Sequence, residues 1–156
     1  MKTRAALAGA TALVLVSWAM PAAAQTMSSV AGTYQIVKVD AYGASPRGMM
    51  ILTRDGHYSI NLARDTLPKF ASNSRVKGTH DEYKAVVEGS IFHYGTYTID
   101  EGGKAITFNI KASTFPNFDG TMQKRALKVE GDQLTYIPTV ASNASAPTPV
   151  VWKRMK

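Results

Sequence analysis

Short runs in which apolar and polar residues alternate recur along the chain, and most are rich in β-branched and aromatic side chains. Successive side chains of a β-strand point to opposite faces, so this alternation predicts strands with one buried face. The pattern predicts eight strands, at residues 32–39, 48–53, 58–62, 92–99, 105–112, 122–129, 133–137 and 150–154.

Turn-forming residues link most of these strands. Asp55-Gly56 separates the second strand from the third, and an Asp-Gly pair between two such runs is a strong hairpin signal. Glycine and Asp or Asn also occupy the links at residues 100–103, 115–120 and 130–132. Eight strands in hairpin order predict an all-β fold, an eight-stranded antiparallel up-and-down barrel, because closure removes the unpaired edges of an open sheet.

One segment has the features of a short α-helix. Thr79 and Glu82 form a capping box at its start, and Gly89 ends it. Its apolar face, which we expect to pack against the sheet, comprises Tyr83, Val86 and Val87. Residues 63–78 show no sustained period and are a candidate lid, and residues 140–149 read as a long loop within the same domain.

The first 24 residues have the three parts of a secretory signal peptide. A basic start at residues 1–4 precedes an apolar run at residues 5–20 and small residues at 21–24. The apolar run is shorter than the roughly 20 residues that a membrane-spanning helix needs, so we expect no membrane anchor. Cleavage after Ala24 would leave residues 25–156 as one periplasmic or secreted domain.

Composition and charge narrow the function further. The chain has no cysteine, which excludes disulfides, thiolate metal sites and a cysteine nucleophile. Removal of Lys2 and Arg4 with the leader would lower the formal net charge from +7 to +5, and the remaining basic residues are scattered instead of forming a stripe. We therefore expect no nucleic-acid partner; the oligomeric state is left open.

Six sequence blocks stand out along the chain: Gly32-Thr33-Tyr34, Ser45-Pro46-Arg47-Gly48, Arg54-Asp55-Gly56-His57-Tyr58-Ser59, Tyr94-Gly95-Thr96-Tyr97, Phe115-Pro116-Asn117 and Val151-Trp152-Lys153-Arg154. In this order they resemble the bacterial and fungal lipocalin-like domain family. In lipocalins proper a Gly-x-Trp aromatic closes the barrel base beneath an arginine of the last strand, and the matching residues here are Tyr34 and Arg154. The resemblance implies a small barrel that holds an apolar or aromatic molecule, and it implies no particular reaction.

Strand periodicity sorts side chains into an inner and an outer face. Ile106, Phe108, Ile110 and Ala112 are predicted to point inward from the fifth strand, whereas the inner faces of the second and third strands stay undecided. Inward position and the loop aromatics together predict a set of ligand-binding residues, namely Tyr97, Arg125, Gln123, Phe108, His93, Tyr136, Phe115 and Trp152.

Arg125 is the most informative of these residues. If it points inward, its guanidinium needs a carboxylate, a phenolate or a ligand anion, because an unpaired buried charge is costly. The alternative places Arg125 at the rim with its charge in water. An inward Arg125 beside Gln123 and aromatic side chains suits an aromatic or alicyclic ligand with a carboxylate, carbonyl or phenol.

Three other features have two interpretations each. His93 shares a face with Tyr97 and is either structural or a general base. Tyr97 itself, with Tyr94 on the opposite face, fits packing better than catalysis. Phe115 and Phe118, with Phe70 from the candidate lid, either cap the mouth of the barrel or plug its end as core.

Recognised catalytic motifs are missing from the sequence. It has no Gly-x-Ser-x-Gly elbow, phosphate loop or dinucleotide fingerprint, and its three histidines lack a metal-binding spacing. We therefore expect no cofactor and no metal. The leading hypothesis is a barrel that binds a small apolar or aromatic molecule. The alternatives are a cofactor-free isomerase, cyclase or lyase that uses Arg125, Tyr97 and His93, and a filled barrel that acts through its surface.

Overall fold

The computed structural model describes residues 24–142 and 146–156. Its eight strands form a closed barrel in which each strand pairs antiparallel with its sequence neighbours and the last pairs with the first. The strands are β1 (Gly32–Lys38), β2 (Arg47–Leu52), β3 (His57–Ala63), β4 (Ser90–Ile99), β5 (Ala105–Ser113), β6 (Met122–Glu130), β7 (Gln133–Ile137) and β8 (Val150–Arg154). The predicted barrel and all eight predicted strands are confirmed.

Four short helical segments complete the described chain: α1 (Met27–Val30), α2 (His80–Gly89) and the 3₁₀ turns Asp40–Tyr42 and Pro116–Phe118. No helix in these parts of the chain is long and apolar enough to cross a membrane. Residues 1–23 of the predicted signal peptide and residues 143–145 of the predicted long loop lie outside the described residues.

The barrel interior resolves the faces that periodicity left open. Met50 and Leu52 of β2 are buried, as are Tyr58 and Ile60 of β3. Apolar residues also occupy the outer face of β2, so the sequence pattern of that strand matched either orientation. Pairing with β1 and β3 selects the buried set.

One inward assignment on β5 is wrong, because the strand contains a bulge. The ladder with β4 pairs Tyr94 with Ala112 and Gly95 with Ile110, which leaves Lys111 as an extra residue. Ala112 therefore pairs with Tyr94, whose side chain is exposed on the outer face of the barrel. The Ala112 side chain lies on that outer face and does not point inward. A Cβ atom on Gly95 would lie 2.0 Å from the Asn109 carbonyl oxygen, so only glycine fits this close approach.

The end of the barrel where β1 starts and β8 finishes is closed. The Tyr34 hydroxyl donates to the Val30 carbonyl at 2.6 Å, and the Arg154 guanidinium lies over the Tyr34 ring at 4.9 Å. Arg154 also donates to the carbonyls of Ala31 and Ser29, the latter at 2.7 Å, and so holds α1 across the barrel base. Tyr34 and Arg154 thus meet as the family resemblance implies.

Helix α2 begins at Thr79 with the predicted capping box and ends at Gly89, but its packing differs from the prediction. Tyr83 contacts Phe70 with ring centroids 5.6 Å apart, and its hydroxyl accepts from the Gly78 amide at 2.8 Å. Val87 is 73% exposed. The expected apolar face is therefore wrong as a sheet-packing surface, because Tyr83 packs against Phe70 of the segment before the helix and Val87 is exposed.

Candidate functional site

A cavity of about 430 Å³ occupies the end of the barrel opposite α1. The ends of β1, β3, β5 and β7 and the starts of β4 and β8 surround it, together with the C-terminal turn of α2. Its walls are largely apolar, with Val39, Tyr42, Leu62, Ile91, Phe115, Phe118 and Val150 among the lining residues. Its volume lies within the range of about 300–1,000 Å³ that small-molecule sites occupy.

Arg125 lies at the inner end of this cavity and is only 5% exposed, so the rim alternative is wrong. Its guanidinium lies between two aromatic rings, 4.8 Å from the Phe108 centroid and 4.7 Å from that of Tyr136. Nη2 donates to the Gln123 side-chain oxygen at 2.7 Å, because residues two apart on β6 share the inner face. Within residues 24–142 and 146–156, Arg125 Nε has no acceptor.

The ring stacking compensates Arg125 only in part. Cation–π contacts, the Gln123 amide oxygen and the Tyr136 hydroxyl stabilise the cation, but no carboxylate in the described chain forms an ion pair with it. The sequence predicts an anionic partner for an inward Arg125. The described residues therefore do not supply that partner. A ligand atom in the cavity is the remaining candidate.

His93 lines the cavity beside Tyr58, with the Tyr58 hydroxyl 2.9 Å from His93 Nδ1. Burial, with a smaller contribution from the Arg125 cation, lowers the pKa of His93 to about 3. Burial also raises the pKa of Tyr58 above its usual value. Both groups are neutral near pH 7, and whichever donates in their shared hydrogen bond, the pair keeps one further hydrogen free to donate.

A neutral His93 with so low a pKa is a weak base. Moreover, the structure does not bring together the three groups of the enzyme alternative. Tyr97 does not line the cavity; its hydroxyl donates to the Thr53 carbonyl at 2.7 Å near the closed end. Burial raises the pKa of Tyr97 to about 12.

Of the eight predicted ligand-binding residues, four line the cavity: His93, Phe115, Arg125 and Tyr136. Gln123 and Phe108 lie behind them, where both contact Arg125. Trp152 is fully buried against Tyr136, with ring centroids 6.4 Å apart, and does not reach the cavity. Of the predicted set, only the residues near the open end line the cavity.

Phe115 and Phe118 were expected either to cap the mouth of the barrel or to plug its end as core, and the structure combines the two interpretations. Phe118 is buried and Phe115 is partly buried, their ring centroids are 5.0 Å apart, and both line the cavity. They therefore form core and cavity wall at once. Phe70 contributes to neither, because it packs against Tyr83. Of the candidate lid, only Arg64 reaches the cavity.

Several lining residues were not predicted. Val39, Ala41 and Tyr42 lie in or next to the 3₁₀ turn after β1, and Pro138 and residues 140–142 and 146–148 come from the connection between β7 and β8. Burial raises the pKa of the Tyr42 hydroxyl, which keeps it protonated. Aromatic and apolar residues directly after a strand were the available signal. Loop segments have no hydrophobic periodicity, so the sequence alone did not show which of their side chains point toward the cavity.

Charged groups also stand at the mouth of the cavity. Arg64 and Glu88 line it, and Glu88 pairs with Lys84 one helical turn away on α2. That lysine lowers the pKa of the Glu88 carboxyl, which therefore stays ionised. Among the described residues no cluster of His, Asp or Glu is suited to holding a metal ion.

Comparisons with known proteins agree with this geometry. A family model described as "Lipocalin-like domain" matches residues 15–155. The 4'-hydroxy-3'-methoxypropiophenone carrier protein ppsC of Aspergillus oryzae (strain ATCC 42149 / RIB 40) is 22% identical over 106 residues, which cover 62% of this chain and 96% of the relative. The family match confirms the resemblance inferred from the six sequence blocks.

Proposed function

The chain belongs to the lipocalin-like domain family, and from this premise we propose that it binds a small aromatic molecule in the cavity at the open end of the barrel. The observation that carries the proposal is a buried, incompletely partnered guanidinium at the base of an apolar cavity. Phe115 and Phe118 contribute aromatic rings to the cavity wall, and His93 offers a neutral polar group in the same cavity as Arg125.

The similarity to a carrier protein supports binding without turnover as the role. The name of that relative specifies a single aromatic ring with hydroxyl, methoxy and ketone substituents. A molecule of this size suits a cavity of about 430 Å³. We therefore propose monocyclic aromatic carbonyl compounds as the ligand class.

Calorimetric titration with 4-hydroxyacetophenone tests this function. Ala41 lies partly buried at the cavity wall, so Ala41→Trp should obstruct the cavity and weaken binding at least about tenfold, a loss of roughly 1.4 kcal/mol. Ala126→Trp is the matched control, because Ala126 is exposed on the outer face of β6 and should leave affinity unchanged. Equal affinity in both variants would exclude the cavity as the binding site.

We further propose that the protein acts outside the cytoplasm, as the signal-like residues 1–24 suggest. Expression of the full chain in a bacterium should give a periplasmic product whose intact mass lacks those 24 residues. A full-length product confined to the cytoplasmic fraction would contradict this proposal and leave the binding proposal untouched.

A further inference from the structure

The charges around the cavity are unbalanced, and this imbalance points to the ligand's own charge. Arg125 is buried, and its closest polar partner, Gln123, is neutral. The six ion pairs in the described chain are all on the surface, and none includes Arg125. Burying a cation without a counter-charge is costly, and a bound anion would remove that cost.

The groups that face Arg125 from the other strands supply no negative charge. They are Tyr58 on β3, His93 on β4, Phe108 on β5, Tyr136 on β7 and Trp152 on β8. Burial raises the pKa of Tyr136, as it does for Tyr58, so both hydroxyls stay protonated. At the mouth, the Glu88 charge is offset by Lys84, and Arg64 adds a further cation.

We infer that the cavity selects ligands that carry an oxyanion on an aromatic ring, a phenolate or a carboxylate, and places that oxyanion against Arg125 and the Tyr58–His93 pair. The inference rests on the proposed function and deepens it. The guanidinium of Arg125, a residue that lines the cavity, and the spare hydrogen of the pair are donors for the oxyanion. The apolar wall that includes Phe115 and Phe118 accommodates the ring.

A phenol bound in this way should ionise at a lower pH than it does in water. A cation within a few ångströms lowers an acid's pKa by about 1–3 units. His93 has a pKa of about 3 and the lining tyrosines have raised pKa values, so these groups do not titrate between about pH 5 and 9. Glu88 stays ionised over the same range. These cavity groups therefore add no ionisation of their own in that window.

Two pairs of probes test the inference on the unmodified protein. 4-Hydroxyacetophenone can ionise and 4-methoxyacetophenone cannot, and benzoate is paired in the same way with neutral benzamide. The ultraviolet spectrum of bound 4-hydroxyacetophenone should show the red-shifted phenolate at a pH at least about 1 unit below that of the free compound. Benzoate should bind at least about tenfold more tightly than benzamide.

Arg125→Gln identifies the responsible group, and Arg54→Gln, at an exposed turn far from the cavity, is the matched control. Arg125→Gln should abolish the spectral shift and equalise benzoate and benzamide, whereas Arg54→Gln should do neither. Thermal melting of both variants checks folding. If Arg125→Gln does not fold, the probe pairs on the unmodified protein still decide the question.

The outcomes separate this inference from the proposed function. Binding of both members of each pair with equal affinity, and no shift in the ionisation of 4-hydroxyacetophenone, would overturn the oxyanion inference and leave the aromatic carrier intact. Binding of none of the four probes would remove the proposed function itself. Selection of benzoate alone, without phenolate, would assign the site to carboxylates and still support the inference.

Discussion

The two ends of the barrel each contain an arginine stacked on a tyrosine, and the two arginines differ in what else they bind. Arg154 lies 4.9 Å from the Tyr34 ring and donates to the carbonyls of Ala31 and Ser29. Arg125 lies 4.7 Å from the Tyr136 ring, donates to Gln123 and leaves Nε without an acceptor in the described chain.

The difference shows that the same arrangement, an arginine stacked on a tyrosine, serves two roles. At the closed end, the carbonyls of Ser29 in α1 and of Ala31 directly after it accept hydrogen bonds from the guanidinium, so Arg154 holds the barrel base shut. At the open end Arg125 lines the cavity, and the hydrogen bond to the Gln123 side chain does not extend to Nε. A stacked arginine is therefore structural or ligand-directed according to whether the chain itself provides its acceptors.

The largest expected effect separates the two arginines by stability. Arg154→Gln should lower the free energy of unfolding by about 2–3 kcal/mol, because it removes charge-assisted hydrogen bonds to two carbonyls. Arg125→Gln should change it by less than about 1 kcal/mol or raise it, because it also removes a buried, under-partnered charge. Urea denaturation without ligand measures both.

Arg54→Gln serves as the surface control for this pair and should be neutral within about 0.5 kcal/mol. A larger loss in Arg125→Gln than in Arg154→Gln would break the comparison. That result would make Arg125 a structural residue like its counterpart.

A second prediction concerns pH and singles out the open end. His93 has a pKa of about 3 in the native protein against an ordinary 6.5, so below pH 6.5 the unfolded chain binds a proton that the native state does not. Stability contributed by neutral His93 is therefore complete above about pH 6.5 and falls by about 1.4 kcal/mol per pH unit toward pH 3. At pH 5 the loss is about 2 kcal/mol.

Urea denaturation at pH 5, 6 and 7 checks this slope. His93→Gln should flatten the dependence between pH 6.5 and 5, whereas His80→Gln, on the exposed first turn of α2, should leave it unchanged. Identical slopes in the unmodified protein and His93→Gln would show that His93 gains its proton in the folded state.

The smallest expected effect belongs to the closed end. Tyr34→Phe removes the hydroxyl that donates to the Val30 carbonyl at 2.6 Å and should cost about 1 kcal/mol in thermal or urea unfolding. Tyr94→Phe is the control, since Tyr94 lies on the outer face and is partly exposed. No difference between the two variants would mean that water replaces Tyr34 as the partner of Val30.

The fold was predictable because the sequence signals that specify it, strand alternation and turn residues, are local. Period-two alternation located every strand, and turn residues such as Asp55-Gly56 ordered the strands as hairpins. The extra residue of the ladder, Lys111, was not predicted, because its position depends on the approach of Gly95 to the Asn109 carbonyl across the ladder. The packing of α2 also escaped, because residues 64–78 compete with the sheet for its apolar face.

The site was predictable in part. Periodicity placed His93, Arg125 and Tyr136 inside the barrel, and each of them lines the cavity. Periodicity does not say how far along the axis an inward side chain lies, so it grouped Tyr97 at the closed end with residues at the open end. Periodicity makes no prediction for irregular segments, such as the turn that contains Tyr42.

The sequence by itself determined eight strands, their antiparallel order and one capped helix, because each follows from spacing or from residues near in the chain. Tertiary structure decided which face of β2 points into the barrel, which end of the barrel is closed, and which arginine lacks partners. Those outcomes depend on contacts between residues distant in sequence, such as Arg154 with Ser29. The cavity depends on such contacts too, since it is the space they leave unfilled.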